Sequence, residues 1–312
     1  MTSLVSDHAI AERVEPGAPP ARRRAFGRRG SRRRDLDWIG LLPFAVYLAL
    51  FLALPTVLAV ATGFVDADGG FTWANATALV DPVIVLTFWN TTWLSLLTAG
   101  IGALVGALVC YAAMGLPETS RMRSTLDAAT GVLAQFGGVM LAFVFIATIG
   151  VQGVVTVLLR DGFGIDLQPG SWLYSVPGLI LPYVFFQVPL MVITFLPALS
   201  ALKPQWSEAN LVLGGSRTSF WIRIGMPVLA PSFWASFLLL FANAFSSYAT
   251  AAALASQGSQ IVPLQIRAAL TSETVLGREN LAGALALGMI AVVGVVMALY
   301  SIVQRRAARW RS

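Results

Sequence analysis

The sequence predicts an all-α, polytopic membrane protein with six transmembrane helices and both termini in the cytoplasm. Of the 312 residues, 57% are hydrophobic and 12% are charged, whereas a soluble domain carries about 25% charged residues. Six stretches free of Asp, Glu, Lys and Arg are each long enough to cross a bilayer, which takes about 20 apolar residues. These features exclude a soluble enzyme, a disordered chain and a disulfide-stapled secreted domain.

The spans follow from the uncharged stretches, which are 38–65, 82–117, 128–159, 167–202, 224–266 and 280–304. Within them we expect helices at 39–62, 89–114, 129–150, 176–199, 228–250 and 281–303. The surplus length is predicted as loop, because 170–175 and 256–260 are rich in Gly, Ser and Gln.

The basic residues give the orientation, because Lys and Arg resist translocation. With both termini inside, the inner segments hold 18 basic residues and the outer loops hold 3. The predicted organisation is a disordered Arg-rich cytoplasmic tail at 1–37, a six-helix membrane domain at 38–304 with the loop at about 203–227, and a basic cytoplasmic tail at 305–312. The first tail is read as a topology signal, with a nucleic-acid arm, a lipid-surface patch and a twin-arginine signal as alternatives.

The spans lack the groups that most membrane chemistry needs. None of the expected helices has an ionisable side chain in its interior except Cys110 and a few tyrosines, and the one histidine is His8. Ion-coupled transporters usually hold a proton or cation on an intramembrane Asp, Glu or His. We therefore expect no catalytic residue and no metal site, and the protein is predicted not to be an enzyme.

Nucleotide binding is also excluded in its usual form. A P-loop needs Gly-Lys-Ser/Thr, but the one lysine, Lys203, is flanked by Leu202 and Pro204. No cofactor is expected in this chain. If it moves a solute uphill, ATP and Mg belong to a partner ATPase.

Small residues and prolines mark possible packing sites. Gly102 and Gly106 form a GxxxG pattern that permits close helix approach, within this bundle rather than at a dimer seam. Pro182, Pro189 and Pro197 are expected to kink or break the fourth span.

The most informative segment is 202–227, between the fourth and fifth spans. Pro204 suits the first turn of a helix, and Ser207 is a candidate N-cap. The pair Gly214-Gly215 suits the end of that helix.

A second short helix is expected after the glycines. Ser216 or Ser219 would cap it, it would run through Trp221 and Ile224, and Pro227 would open the next span. Two amphipathic helices with a glycine elbow then face the cytoplasm. Such an apolar loop requires either a partner surface or the lipid headgroups, and the residues alone do not distinguish the two.

The same segment resembles the signature of permease subunits of binding-protein-dependent ABC importers of type I, the MetI-like family. That pattern is Glu-Ala-Ala, three residues, Gly, nine residues and Ile-x-Leu-Pro. Asn210 replaces the second Ala and Met226 replaces the Leu, but the spacing is unbroken. The matching positions are Glu208, Ala209, Gly214, Ile224 and Pro227.

The resemblance implies that the loop forms coupling helices seated on an ATPase, with Glu208 in the first helix and Gly214 at the turn. It further implies two ATP-binding cassette ATPase subunits, a second permease subunit, for which a paralogue is favoured over a second copy of this chain, and an extracytoplasmic solute-binding protein. The location would be the inner or plasma membrane of a bacterium, in contact with lipid and without nucleic acid. The alternative is an ATP-independent channel or facilitator, which would have no reason to carry this loop.

Polar residues in the spans are candidates for the substrate path, although such side chains also hydrogen-bond neighbouring helices. Asn90 and Gln135 carry the same ambiguity. The stretches 241–250 and 261–265 resemble permeases of the polyamine and phosphonate branch, yet the spans offer no carboxylate for a polyamine. The path candidates are Gln187, Asn243, Ser246, Ser247 and Tyr248.

Overall fold

The structure is a computed structural model that describes residues 37–66, 69–117, 119–165, 169–255, 261–271 and 279–308. Within these ranges the chain forms helices and no strand, apart from one isolated antiparallel bridge between Val65 and Phe71. The all-α fold class is confirmed. The α-helices are α1 Asp37–Leu48, α2 Leu54–Thr62, α3 Ala74–Thr77, α4 Pro82–Met114, α5 Arg121–Gln135, α6 Gly138–Ile149, α7 Val154–Phe163, α8 Ile180–Ser200, α9 Pro204–Val212, α10 Arg217–Phe220, α11 Met226–Phe245, α12 Ala249–Leu254, α13 Val262–Thr271 and α14 Glu279–Ala308.

Six helical segments are long and apolar enough to cross a membrane, which agrees with the predicted number. They are Gly40–Thr62, Pro82–Met114, Gly138–Phe163, Pro177–Ser200, Arg217–Phe245 and Leu281–Arg305. The first, fourth and sixth match the predicted spans closely. The predicted tail at 1–37 lies outside the described residues up to position 36, and the tail at 305–312 is helical through Ala308.

Contacts divide the chain into two units, one ending at Leu54 and one beginning at Pro55. The described part of the first unit contains α1 and a π-helical turn, Ala49–Ala53, with the rings of Tyr47 and Phe51 5.1 Å apart. The second unit contains every site discussed below.

The second span begins seven residues before its predicted start. Asp81 caps α4, because its side chain accepts a hydrogen bond from the Val83 backbone N–H at 2.8 Å. Pro82 occupies the first turn, where the missing N–H costs nothing. An Asp followed by a Pro is a sequence pattern that predicts the start of a helix.

The third span differs from its prediction of 129–150. An amphipathic helix, α5, ends at Gln135, and α6 starts after a break at Gly137 and Gly138. Gly138 has φ of +68°, a left-handed conformation that glycine adopts without steric cost. The apolar span is therefore α6 followed by α7, and residues 129–135 belong to a separate helix.

The GxxxG pair packs α4 against α8, as predicted. A Cβ added to Gly102 would lie 2.5 Å from the Cβ of Gln187, and one added to Gly106 would lie 2.5 Å from the Cβ of Met191. Both distances are too short for a real contact, so the two backbones approach as closely as glycine allows. The pattern is used inside this bundle.

The fourth span is one helix in spite of its prolines. Pro189 and Pro197 lie inside α8, which continues to Ser200 without a break. A membrane helix tolerates proline where its surroundings satisfy the freed backbone groups. The break predicted here occurs instead in the fifth span, between Phe245 and Ala249.

The buried face of α8 organises the bundle around it. One apolar cluster joins α4, α8 and α11, with Met191, Phe195 and Leu240 among its most buried members. A second cluster gathers around Tyr183 and Leu141. The loop that follows α8 is consequently anchored at one end of a packed core.

Candidate functional site

The first half of the 203–227 loop is the helix α9. Pro204 occupies its first turn, as predicted, and Lys203 is the N-cap residue without a side-chain cap. Ser207 is therefore not a cap, contrary to expectation, because the helix starts three residues before it. The proline sets the start of the helix by fixing its own φ.

The elbow lies at Gly214 and Gly215, as predicted. Gly214 has φ of +79°, and the Gly215 backbone N–H donates to the Asn210 carbonyl oxygen at 2.8 Å. Across the elbow, the Asn210 Nδ2 donates to the Ser216 carbonyl oxygen at 3.0 Å. The residue that departs from the family pattern thus fastens α9 to the start of the next helix.

The second half of the loop is not a separate helix. Ser216, rather than Ser219, is the cap, since its side chain accepts from the Ser219 backbone N–H at 3.1 Å. From there α10, a π-helical turn at Trp221–Gly225 and α11 form one continuous helical segment. Pro227 lies in the first turn of α11. It does not begin a separate helix, because the helical segment is already continuous from Arg217. A movement of the elbow would therefore act directly on the fifth span.

An aromatic contact ties this segment to the bundle. The rings of Trp221 and Tyr111 are 5.3 Å apart at 74°, an edge-to-face arrangement between the π-helical turn and α4. Phe220 is buried beside them. The loop is therefore held by packing at its C-terminal side, while α9 projects further from the core.

The five predicted coupling residues lie on or beside one exposed surface. Glu208, Ala209, Gly214 and Pro227 are exposed, and Ile224 is half-buried. A groove of about 310 Å³ separates α9 from the following helix. Its lining residues are Trp206, Ala209, Asn210, Leu213, Ile224 and Val228.

The tip of this surface is strongly apolar. Leu211, Val212 and Leu213 are 59%, 87% and 86% exposed. Three adjacent aliphatic side chains at such exposure form a surface that is stabilised when something covers it. We call residues 204–225 the loop surface.

The predicted path residue Gln187 is fully buried between helices. Its Nε2 donates to the Leu240 carbonyl oxygen at 3.1 Å, and its Oε1 is buried without a hydrogen-bond partner. Because Gln187 also contacts Gly102, it lies in the α4–α8 interface. This position fits the packing role of a polar residue between spans rather than contact with a solute.

The other four path candidates lie at the break of the fifth span. Asn243, Ser246 and Tyr248 are exposed and Ser247 is half-buried. The Tyr183 hydroxyl donates to the Ser247 carbonyl oxygen at 2.8 Å, which satisfies a backbone group freed by the break.

The breaks of the third and fifth spans meet each other. The Thr250 Oγ1 donates to the Gly138 carbonyl oxygen at 3.2 Å. Gln135 ends α5 at the same break and is exposed, while Asn90 lies inside α4 and is half-buried. Irregular backbone at membrane depth is found where it is buried in protein or lines a cavity.

Sequence reasoning missed a cavity between α8, α11 and α14 that is lined by both polar and apolar side chains. It measures about 480 Å³ and is open on one side. The available signal was the helical spacing of Ser232, Ser236, Asn243 and Ser246, which places them on one face of α11. The lining residues are Thr194, Pro197, Ala198, Pro231, Ser232, Ala235, Ser236, Leu239, Tyr300 and Gln304.

The residues at these sites are suited to binding a partner or a solute and to transmitting movement between helices. All ten residues of the cavity lining are uncharged. Among the described residues no cluster of His, Cys, Asp and Glu could hold a metal ion. The described part of the chain thus offers an exposed apolar loop, two meeting helix breaks and an uncharged cavity.

Comparison with known proteins identifies the relatives of this chain. A ferric transport system permease protein, FbpB 1 of Haemophilus influenzae, is 24% identical over 212 residues, which cover 67% of this chain and 32% of that protein. A sulfate transport system permease protein, cysT of Prototheca wickerhamii, is 24% identical over 179 residues, which cover 57% of this chain and 66% of that protein. An ABC transporter permease protein, y4fN of Sinorhizobium fredii, is 24% identical over 275 residues, covering 85% and 45%. No family model matches the sequence.

Solved structures agree at the level of the fold. A bacterial ABC transporter that imports the acidic polysaccharide alginate superposes with a TM-score of 0.70 at 17% identity, over 89% of this chain and 96% of that chain. The MetNI methionine ABC transporter in an inward-facing conformation superposes with a TM-score of 0.54 at 12% identity. The superposition covers 72% of this chain and 96% of that chain.

The homologues of this chain are therefore ABC transporter permeases, and its fold is that of ABC importer permeases. The chain matches between 32% and 66% of the length of the curated relatives named above. With six apolar helices, it is a multi-pass membrane protein.

Proposed function

We propose that this chain, a homologue of ABC transporter permeases, is a transmembrane permease subunit of an ATP-driven importer. It forms part of the path for a small solute, and ATP hydrolysis takes place on a partner. The chain itself is a transport component and not an enzyme.

The observation that carries the proposal is the loop surface. Burying a large aliphatic side chain contributes about 1.5–3 kcal/mol, so covering Leu211, Val212 and Leu213 is strongly favourable, and the resemblance of the loop assigns that cover to a protein partner rather than to lipid. Four of the five motif residues lie within this surface and Pro227 lies two residues beyond it, and the surface continues into the fifth span through the continuous helical segment Arg217–Phe245. A partner that moved the loop surface would therefore move a helix that lines the path.

The partners follow from the resemblance. We assign the loop surface to the groove of an ATP-binding cassette ATPase, two of which would bind ATP and Mg. A second permease subunit, a paralogue of this chain, would complete the path, and an extracytoplasmic binding protein would deliver the solute. The membrane would be the bacterial inner membrane, with both termini of this chain in the cytoplasm.

The mechanism is alternating access. Closure of the two ATPases would press on the loop surfaces and rock the two permeases between inward- and outward-facing states. Asn243, Ser246, Ser247 and Tyr248 would meet the solute, because their exposed face lies at the break of the fifth span. A polyamine substrate draws no support from this face, which carries no carboxylate.

The test is purification of the tagged protein from its native membranes, followed by mass spectrometry and an ATPase assay of the eluate. Wild type should bring down a P-loop ATPase. Glu208→Lys and Gly214→Asp should reduce the ATPase recovered by about tenfold, which corresponds to a loss of about 1.4 kcal/mol of docking energy.

Asp161→Lys is the matched control for charge reversal. Asp161 is an exposed carboxylate on α7 that pairs only with its neighbour Arg160 among the ion pairs of the described chain, and such surface pairs contribute little. This variant should retain the ATPase. If wild type elutes alone and its reconstituted vesicles pass solute without ATP, the importer is excluded and a facilitator is the better account.

A further inference from the structure

We infer that the uncharged cavity between α8, α11 and α14 is a solute site that takes an uncharged, hydroxyl-rich solute of the polyol class. The inference rests on the proposed function, because it assigns this cavity to the import path. None of its polar residues is among the path candidates predicted from the sequence.

The position of the cavity comes first. Its walls are the C-terminal half of α8, the middle of α11 and the C-terminal end of α14. The loop surface connects α8 to α11, so the cavity lies at the end of the bundle that carries that surface. A solute in the cavity would be held by the same helix that the loop surface moves.

The face of α11 connects the cavity to the helix break. Ser232, Ser236 and Leu239 line the cavity, and Asn243 and Ser246 continue at spacings of four and three residues. Because residues three and four apart share a helix face, these side chains form one stripe. The cavity thus shares one face of α11 with Asn243 and Ser246, with Leu239 between its serines and these two residues.

The lining provides neutral hydrogen-bonding groups. The Gln304 Nε2 donates to the Tyr300 hydroxyl oxygen at 2.6 Å, which leaves the Tyr300 O–H to donate and the Gln304 carbonyl oxygen to accept. The Thr194 hydroxyl donates to the Leu190 carbonyl oxygen at 3.0 Å. The lone pairs of the Thr194 Oγ1 therefore remain available to accept a hydrogen bond from a solute. Ser236 is 4% exposed and lies deepest. Hydroxyl groups of a solute can both donate to and accept from such a set.

The absence of charge from the lining selects against ions. An ion that leaves water for a site without a counter-charge loses hydration that neutral dipoles replace only in part. A polyamine would need carboxylates, and an oxyanion would need Arg, Lys or converging backbone N–H groups. Arg305 follows Gln304 but is not part of the lining. The volume of about 480 Å³ lies within the usual range for small-molecule pockets, about 300–1,000 Å³.

The experiment uses the single cysteine of this sequence. Cys110 is buried, so a Cys110→Ala background removes the one native thiol, and Ser236→Cys or Ser232→Cys then places a thiol in the cavity. The complex in native membranes is treated with three methanethiosulfonates that carry a hydroxyethyl, a trimethylammonium or a sulfonate group. Labelling rates are normalised to Gly131→Cys, because Gly131 is exposed and a Cβ there meets nothing within 4 Å.

The expected result is that the hydroxyethyl reagent labels the cavity thiols at least about tenfold faster than either charged reagent after normalisation. Mannitol should slow this labelling at Ser236→Cys and Ser232→Cys but not at Gly131→Cys, whereas spermidine and sulfate should have no effect.

Equal rates for the three reagents, or protection by spermidine or sulfate instead of mannitol, would overturn the solute class. Unreactive cavity thiols, or no protection by any solute, would overturn the site. Co-purification of an ATPase from the same membranes tests the proposed function separately from the cavity assignment. If the ATPase is present and the labelling fails, only the cavity assignment falls, and if the ATPase is absent, the proposed function falls.

Discussion

The two halves of α8 place their polar side chains in different surroundings. Near Gln187, the glycines of α4 bring two backbones together, and the amide is fully buried with its Nε2 bonded to the Leu240 carbonyl. About two turns further along, Thr194 faces a cavity of about 480 Å³. The first half is a dry, close-packed interface and the second is an open polar wall. Neutral polar side chains in a span therefore mark packing or path according to what the neighbouring helices leave room for.

Replacing Gly106 by Val should have the largest effect on the packed half. The added side chain would overlap Met191 and the Val188 carbonyl oxygen, which lie 2.5 and 2.9 Å from a Cβ at this position. We expect destabilisation of about 1–3 kcal/mol, measured as a lower thermal midpoint in detergent. Gly100→Val is the control, because a Cβ at Gly100 meets nothing within 4 Å. Equal losses in the two variants would refute the close approach.

Removing the Tyr183 hydroxyl should have an intermediate effect at the meeting helix breaks. Tyr183→Phe leaves the Ser247 carbonyl without its donor, at a cost of about 1 kcal/mol, the lower end for a lost partner, because this hydrogen bond is only partly buried. Transport and thermal stability should both fall, because the path residues at 246–248 lose their support. Tyr111→Phe, at an exposed position, should change neither. Wild-type behaviour of Tyr183→Phe would indicate that the break supports itself.

Gln187→Leu should have the smallest effect. It removes one interhelical hydrogen bond, worth about 0.6 kcal/mol on average in a membrane protein, and it also removes the unpaired Oε1. Thermal stability should change little and solute uptake should stay within about twofold. A large loss of uptake without loss of stability would place Gln187 on the path after all.

Several elements could be predicted from the sequence because their signals are local. The count of spans follows from runs of uncharged residues and the elbow from Gly214, and the hydroxyls narrowed the second cap to Ser216 or Ser219, of which the structure uses Ser216. The use of Gly102 and Gly106 in packing was also correct. The spans, the elbow and the cap depend on a few neighbouring residues, whereas the glycine pair shows from its spacing that a helix can approach closely but not that the partner is α8.

The helix breaks depend on contacts far along the chain and were not predicted. The break at 246–248 is supported by Tyr183, and the break at Gly138 by Thr250, 112 residues away. The prolines of α8 suggested a break that does not occur. The cavity needs side chains from three helices, so a single polar residue such as Tyr300 gave no local sign of it.

The most direct measurement compares two exposed valines. Val212, on the loop surface, is 87% exposed, and Val80, just before α4, is 75% exposed. In purification from native membranes, Val212→Asp should lose the co-eluting ATPase, because the charge would be buried without a partner at the interface. Val80→Asp should retain it. Retention of the ATPase by both variants, or its absence from wild type, would contradict the assignment of the loop surface to an ATPase.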